Sequence, residues 1–227
     1  MPRIPRGTAE GFIYHVFNRG NDKKTIFHKD SDYAAFIKLV RDAKNRHPVQ
    51  MMAYCIMPNH FHFVVMPTNV QNLSKLMQWL MTSHVRRYHK FHNSSGHIWQ
   101  GRYRSFIIQN DIHLLTVVRY VEGNPVRARL VSAAREWPWS SYRERVGIQE
   151  GRILDPIPLI LPRDWESFVN MPLTDEEKSR LTASVARNTP FGDSQWVMNK
   201  CGENKLEHTL RPRGRKKGDR LLFYQKK

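Results

Sequence analysis

The stretch VQMMAYCIMPNHFHFVVM, residues 49–66, places two apolar runs on either side of a proline–asparagine pair. Proline pre-sets one central φ of a tight turn and asparagine tolerates the next. Residues 49–57 and 60–66 therefore predict an antiparallel hairpin. Side chains on a strand alternate faces. His60 and His62 then share one face, roughly 7 Å apart at Cα, while Phe61, Phe63 and Val65 point the other way, toward a core. Two histidines presented together suit a metal ion, and a pair of solvated polar side chains is the competing reading. Two ligands are too few for a metal, so a third has to come from elsewhere in the fold.

Outward from the hairpin, residues 11–18 read as a first strand. A helix with apolar positions Phe36, Leu39, Val40 and Ala43 follows, with Ser31 as its expected cap and Pro48 as its stop. After Pro67, Leu73, Leu76, Met77, Leu80, Met81, Val85 and Tyr88 form the core stripe of a long helix. A fourth strand is expected near Tyr103–Gln109. Asn110 or Asp111 can cap a third helix through Leu114, Leu115, Val118 and Tyr120. The order β-α-β-β-α-β plus a helix predicts an α+β, ferredoxin-like fold with an antiparallel sheet. The histidine pair lies on the sheet face away from the first two helices, where the third helix can cover it. From residue 173 the pattern changes. Thr174 and Glu177 form a capping-box signature, and a second short helix can start after Asp193 or Ser194 and stop at Gly202. We therefore divide the chain into a main domain, 1–172, and a helical extension with a basic tail, 173–227.

The 227 residues carry a formal net charge of +17, which makes a polyanion, nucleic acid first, the natural partner. Nine Lys/Arg against Glu207 and Asp219 fall within residues 205–227. A second cluster comprises Arg86, Arg87, Lys90, Arg102 and Arg104. These are candidate phosphate contacts, with solvated faces as the alternative. Trp99 and Tyr103 could stack on unpaired bases or belong to the core. No apolar run approaches the ~20 residues that span a bilayer, and the first residues lack a signal-peptide pattern. Cys55 sits in an apolar run and reads as a buried thiol, consistent with a reducing cytoplasm.

On the third helix, Tyr120 and Asn124 stand four apart, on one face. Asn124 offers a carbonyl oxygen suited to a hard divalent ion such as Mg²⁺ or Mn²⁺. Tyr120 offers a phenol, a possible covalent nucleophile. Because Asn124 precedes Pro125, it can instead end this helix or cap the next.

Pro58-Asn59-His60-Phe61-His62 resembles the HUH motif of single-tyrosine transposases. Residues 120–128, YVEGNPVRA, resemble the tyrosine motif of the REP-associated branch. Residues 14–21 (YHVFNRGN), 99–103 (WQGRY) and 137–142 (WPWSSY) are similar to family blocks in the same order. Gly123 departs from the pattern, standing where a larger apolar residue is expected, and should loosen the helix between Tyr120 and Asn124.

The resemblance implies that 1–172 is a catalytic domain acting on repetitive extragenic palindromes, which are hairpin-forming DNA. It implies Tyr120 as nucleophile, a 5′-phosphotyrosine intermediate with a free 3′-hydroxyl, and a divalent metal on His60, His62 and Asn124. The expected partner is single-stranded or hairpin DNA, and the expected location is the cytoplasm, at the nucleoid. Monomer and homodimer both fit. Pro212-Arg213-Gly214-Arg215 resembles an AT-hook core, with Arg213 and Arg215 entering a minor groove. An electrostatic arm is the competing reading. Two other functions compete: a non-catalytic ferredoxin-like nucleic-acid-binding module, and a metal-dependent nuclease that uses water.

Overall fold

A computed structural model describes residues 11–150 and 153–211. The elements run β1 (Ile13–Arg19), α1 (Asp30–Arg46), β2 (Val49–Met57), β3 (His60–Pro67), α2 (Val70–His92), β4 (Arg104–Ile108) and α3 (Ile112–Glu122). Shorter helices follow: α4 (Asn124–Arg127), α5 (Tyr142–Arg145), α6 (Trp165–Asn170), α7 (Asp175–Arg187) and α8 (Ser194–Glu203). The strands form one antiparallel sheet in the order β2-β3-β1-β4. This is the expected ferredoxin-like arrangement, with β1 and β3 at its centre.

Local chemistry accounts for most boundaries. The Asn69 side chain accepts from Gln71 N–H to start α2, and Asn93 ends it in the left-handed region. Asp111 accepts from His113 N–H to start α3. Thr174 and Glu177 form the reciprocal capping box at α7. The start of α1 differs from expectation. Asp32, not Ser31, supplies the carboxylate, accepting from His28 and Lys29 N–H at 3.0 and 3.3 Å. The helix therefore begins at Asp30.

The sheet buries both faces. Tyr14, Val16, Phe61, Phe63, Val65 and Ile107 meet α1 and α2. Ile13, Phe17, Ala53, Val64, Phe106 and Ile108 meet Leu114, Val117, Val118 and Val121 of α3. A bulge between Met51 and Ala53 keeps β2 in step with both layers. Cys55 and Cys201 are buried and unpaired. Among the described residues, no helix is long and apolar enough to cross a membrane.

The described part of the extension is helical and contacts β4 and α3. Phe191 bridges to Ile108 beside the β4 edge, with Gln109 N–H donating to its carbonyl at 2.9 Å. Glu177 ion-pairs with the buried Arg119 of α3. Arg104 donates to the Ala186 carbonyl at 2.7 Å. The basic tail, with Arg213 and Arg215, lies outside the described residues.

Candidate active site

Strand alternation puts His62 on the α3 face of β3, and His15 joins it from β1. His15 Nε2 and His62 Nδ1 are 2.8 Å apart, with the rings stacked at a centroid distance of 4.9 Å. Phe17 and Phe106 pack around His15. Burial lowers its pKa to about 3 and pushes that of His62 well down, His62 also feeling His15 and His60. His60 sits at the mouth of the hairpin, its ring 4.9 Å from that of His62. Its Nδ1 lies 2.6 Å from Asn59 Oδ1. An amide oxygen only accepts, so Nδ1 carries the proton and His60 Nε2 keeps its lone pair. Burial, then the Arg19 charge, brings His60 down to about 4. All three rings are neutral at pH 7.

Tyr120 reaches this cluster from α3, its ring 5.6 Å from His62 and edge-on at 79°. Burial raises its pKa, while Arg127 and Asn124 oppose the rise. Arg127 folds back so that its Cζ lies 4.5 Å from the Tyr120 centroid and its Nη2 donates to the Tyr120 carbonyl. Gly123 permits this turn. A Cβ there would stand 2.8 Å from the Val169 carbonyl and 2.9 Å from Arg127 Nη1. The departure at Gly123 thus makes room for a close approach. The helix is interrupted there, as expected: α3 ends at Glu122, Gly123 lies at φ −85° and ψ 4°, and α4 restarts at Asn124, with Arg127 N–H donating to the Gly123 carbonyl at 3.1 Å.

Asn124 opens α4 and is buried. Its Nδ2 has no partner of good geometry, although the side chain is near enough to Tyr120 to favour the phenolate. One residue before Gly123, the fully buried Glu122 accepts from Ser141 Oγ at 2.6 Å, Arg145 Nε at 2.9 Å and Trp165 Nε1 at 2.9 Å. That network fixes the end of the helix that carries Tyr120.

A pocket of ≈ 610 Å³ opens between the strands and α3, lined by His60, His62, Tyr120, Arg19, Arg102 and Arg104 among others. Arg102 also lines a second groove of ≈ 770 Å³ with Arg86, Met77, Met81 and Trp99. The expected cationic set therefore divides. Arg102 and Arg104 face the histidines and tyrosine, and Arg86 stands along the adjoining groove. Lys90 is exposed further along α2. Arg87 turns to the other side, over the Phe91 ring at 4.1 Å. Trp99 and Tyr103 are largely buried, at 5% exposure each. Trp137 and Trp139 pack, the first donating to the Ile56 carbonyl and the second stacking on Tyr33.

A family profile for IS200-like transposases matches residues 8–124, a little over half of the chain. The chain belongs to this family. It is also 28% identical over 130 residues to a Haemophilus influenzae protein that carries the name REP-associated tyrosine transposase. That match spans 52% of this chain and 68% of the relative. A solved structure of a REP-associated tyrosine transposase bound to a REP hairpin shares the fold, with a TM-score of 0.56. At 20% identity, that match covers 71% of this chain and 93% of the other.

As an IS200-like transposase, the chain has a donor set that fits a divalent cation. His60 and His62 line one pocket, and a buried amide nitrogen of Asn124 is unpartnered beside Tyr120. Exchanging the two ends of that amide offers Oδ1 instead. No cluster of three His, Cys, Asp or Glu side chains among the described residues is arranged for a metal, so a third protein donor would be of another type, and Asn124 stands next to Tyr120 rather than in the lining of the pocket itself. Sequence reading missed Arg19, Asn59 as a partner of His60, Arg127, Glu122 and His15. For His15 a signal was present, since it shares the parity of Phe17 on β1.

Proposed function

We propose that this IS200-like transposase cleaves and rejoins single-stranded DNA at REP-type hairpins through a 5′-phosphotyrosine at Tyr120. The observation that carries this reading is the Tyr120 ring standing edge-on to His62 at 5.6 Å, over one pocket with His60. His60, His62 and Asn124 would hold Mg²⁺ or Mn²⁺. Bound there, the ion supplies Lewis-acid polarisation of the scissile phosphate and offsets its developing charge.

The chain's own residues do the rest. Tyr120 Oη attacks phosphorus, the P–O3′ bond breaks, and the 3′-oxygen leaves as a hydroxyl after taking up a proton from solvent. The phenol's own proton is lost to solvent, a loss favoured by the Arg127 charge. Arg102 and Arg104 hold flanking phosphates. The reverse attack by a 3′-hydroxyl rejoins a strand, so no nucleotide cofactor is needed. In this reading residues 1–172 are catalytic. The extension 173–227 completes the β4 side, contributes Val185 to the pocket and ends in a DNA-binding arm that includes Arg213 and Arg215. Action on chromosomal palindromes puts the enzyme at the nucleoid.

The binding-module alternative needs aromatic rings exposed on an open sheet. Here α1, α2 and α3 cover both faces, and Trp99 and Tyr103 are buried. Incubation with hairpin DNA bearing a single-stranded flank and Mn²⁺ should give a protein–DNA adduct on a denaturing gel, weakened at least tenfold in His60→Ala. Cleavage with no adduct would favour water as the nucleophile, and neither cleavage nor adduct would favour the binding module.

A further inference from the structure

The two site histidines are backed differently. Asn59 Oδ1 can only accept, so it fixes the tautomer of His60. The His62 Nδ1 contact at 2.8 Å is to another imidazole, which can donate or accept. If His15 donated, His62 would carry its proton on Nε2 and could not ligate a cation through that atom. If His62 donates, its Nε2 lone pair joins that of His60 at the pocket.

We propose that His15 is the positioning residue of the site. It accepts from His62 Nδ1–H and holds the ring in the one tautomer that presents Nε2 for a cation. The inference deepens the proposed metal-dependent function and rests on it.

Three observations carry it. His15 is fully buried behind His62 and is absent from the pocket lining, so it stands behind the site. The nitrogen it turns toward the site, Nε2, is already spent on His62. Its ring is held by Phe17 on one side and Phe106 edge-on, at 5.2 and 4.8 Å, so its lone pair points to one place. His15 Nδ1 then carries the proton and has no partner among the described residues.

The choice of imidazole has a chemical consequence. A carboxylate behind a metal-bound histidine raises the basicity of the ligand. A neutral imidazole orients the ring with no added negative charge, so more of the cation's charge remains for the phosphate.

The test combines two measurements on the whole chain. Long-range ¹H–¹⁵N spectra of histidine-labelled protein without metal should show His62 protonated on Nδ1. Mn²⁺ affinity, read by electron paramagnetic resonance, should fall about 10- to 100-fold in His15→Phe. It should return to within a few-fold of the parent in His15→Gln, whose amide oxygen restores an acceptor. A His62 proton on Nε2, parent-like Mn²⁺ affinity in His15→Phe, or equal loss in the Gln and Phe variants would each overturn the proposal. A parent protein that fails to bind Mn²⁺ would refute the metal reading, and the His62 tautomer would still decide the role of His15.

Discussion

The two faces of the sheet each bury histidines whose pKa burial pushes down, and on only one of them, among the described residues, does such a histidine line a pocket beside Tyr120. Under α1 and α2, His84 is packed against Phe27, Phe36 and Trp99, its Nδ1 unpartnered. It touches neither the histidine pair nor a nucleophile. Under α3, His15 and His62 are as deeply buried, yet His62 also reaches a pocket and faces Tyr120. A buried imidazole is therefore not by itself a functional signal. What separates the faces is that one helix, α3, brings a phenol over a strand whose alternation presents two rings together.

Tyr120→Phe should break the contrast most severely. Adduct formation should drop on the order of 10³-fold or more, with the melting temperature nearly unchanged. Phe36→Ala on the opposite face should do the reverse. It empties a fully buried site and should cost ~3–5 kcal/mol in a denaturant titration, while the protein that stays folded keeps its activity. Equal loss of activity in both variants would erase the distinction.

Glu122→Ala tests whether the helix carrying Tyr120 is held from its end. It leaves Arg145 buried without its carboxylate, a loss of about 3–5 kcal/mol. A stability change under 1 kcal/mol would show that the network is not an anchor.

The histidines also set a pH dependence. Burial takes His84 from 6.5 when unfolded to about 3 when folded, and His15 behaves alike. The unfolded chain binds the proton first. Stability is therefore full above pH 6.5 and declines as pH falls toward 3. Melting temperatures measured from pH 7 to 5 should fall, and fall less steeply in His84→Leu. An unchanged slope in that variant would contradict the burial account.

The smallest expected effect is at the surface. Arg102→Ala should weaken single-stranded DNA binding a few-fold and reduce its salt slope by about one. Arg87→Ala, turned away over Phe91, should leave both unchanged. Equal effects would show that the two grooves containing Arg102 are not the DNA path.

Much of this was legible in the chain. The hairpin, the stripe of α2, the Asp111 cap and the Thr174–Glu177 box are local patterns, and each appears where the spacing puts it. Alternation set the shared face of His60 and His62, while the part expected of Tyr120 came from the resemblance of residues 120–128 rather than from spacing alone. The meaning of His15 was hidden because its partner is 47 residues away across the β1–β3 register. Asn59 reads as a turn residue until its amide is seen against His60. Gly123 reads as a weak point, and α3 does end there; what the sequence hides is that Val169 and Arg127 close around it. The packing of 173–211 depends on contacts with β4 and α3 that no local pattern encodes.

The central claim is a covalent bond between DNA and Tyr120. Protease digestion of the adduct followed by mass spectrometry locates that bond directly. The account predicts a peptide containing Tyr120 that carries the 5′-phosphate of the downstream strand. Cleaved DNA with a free 5′-phosphate and an unmodified Tyr120 peptide would contradict it.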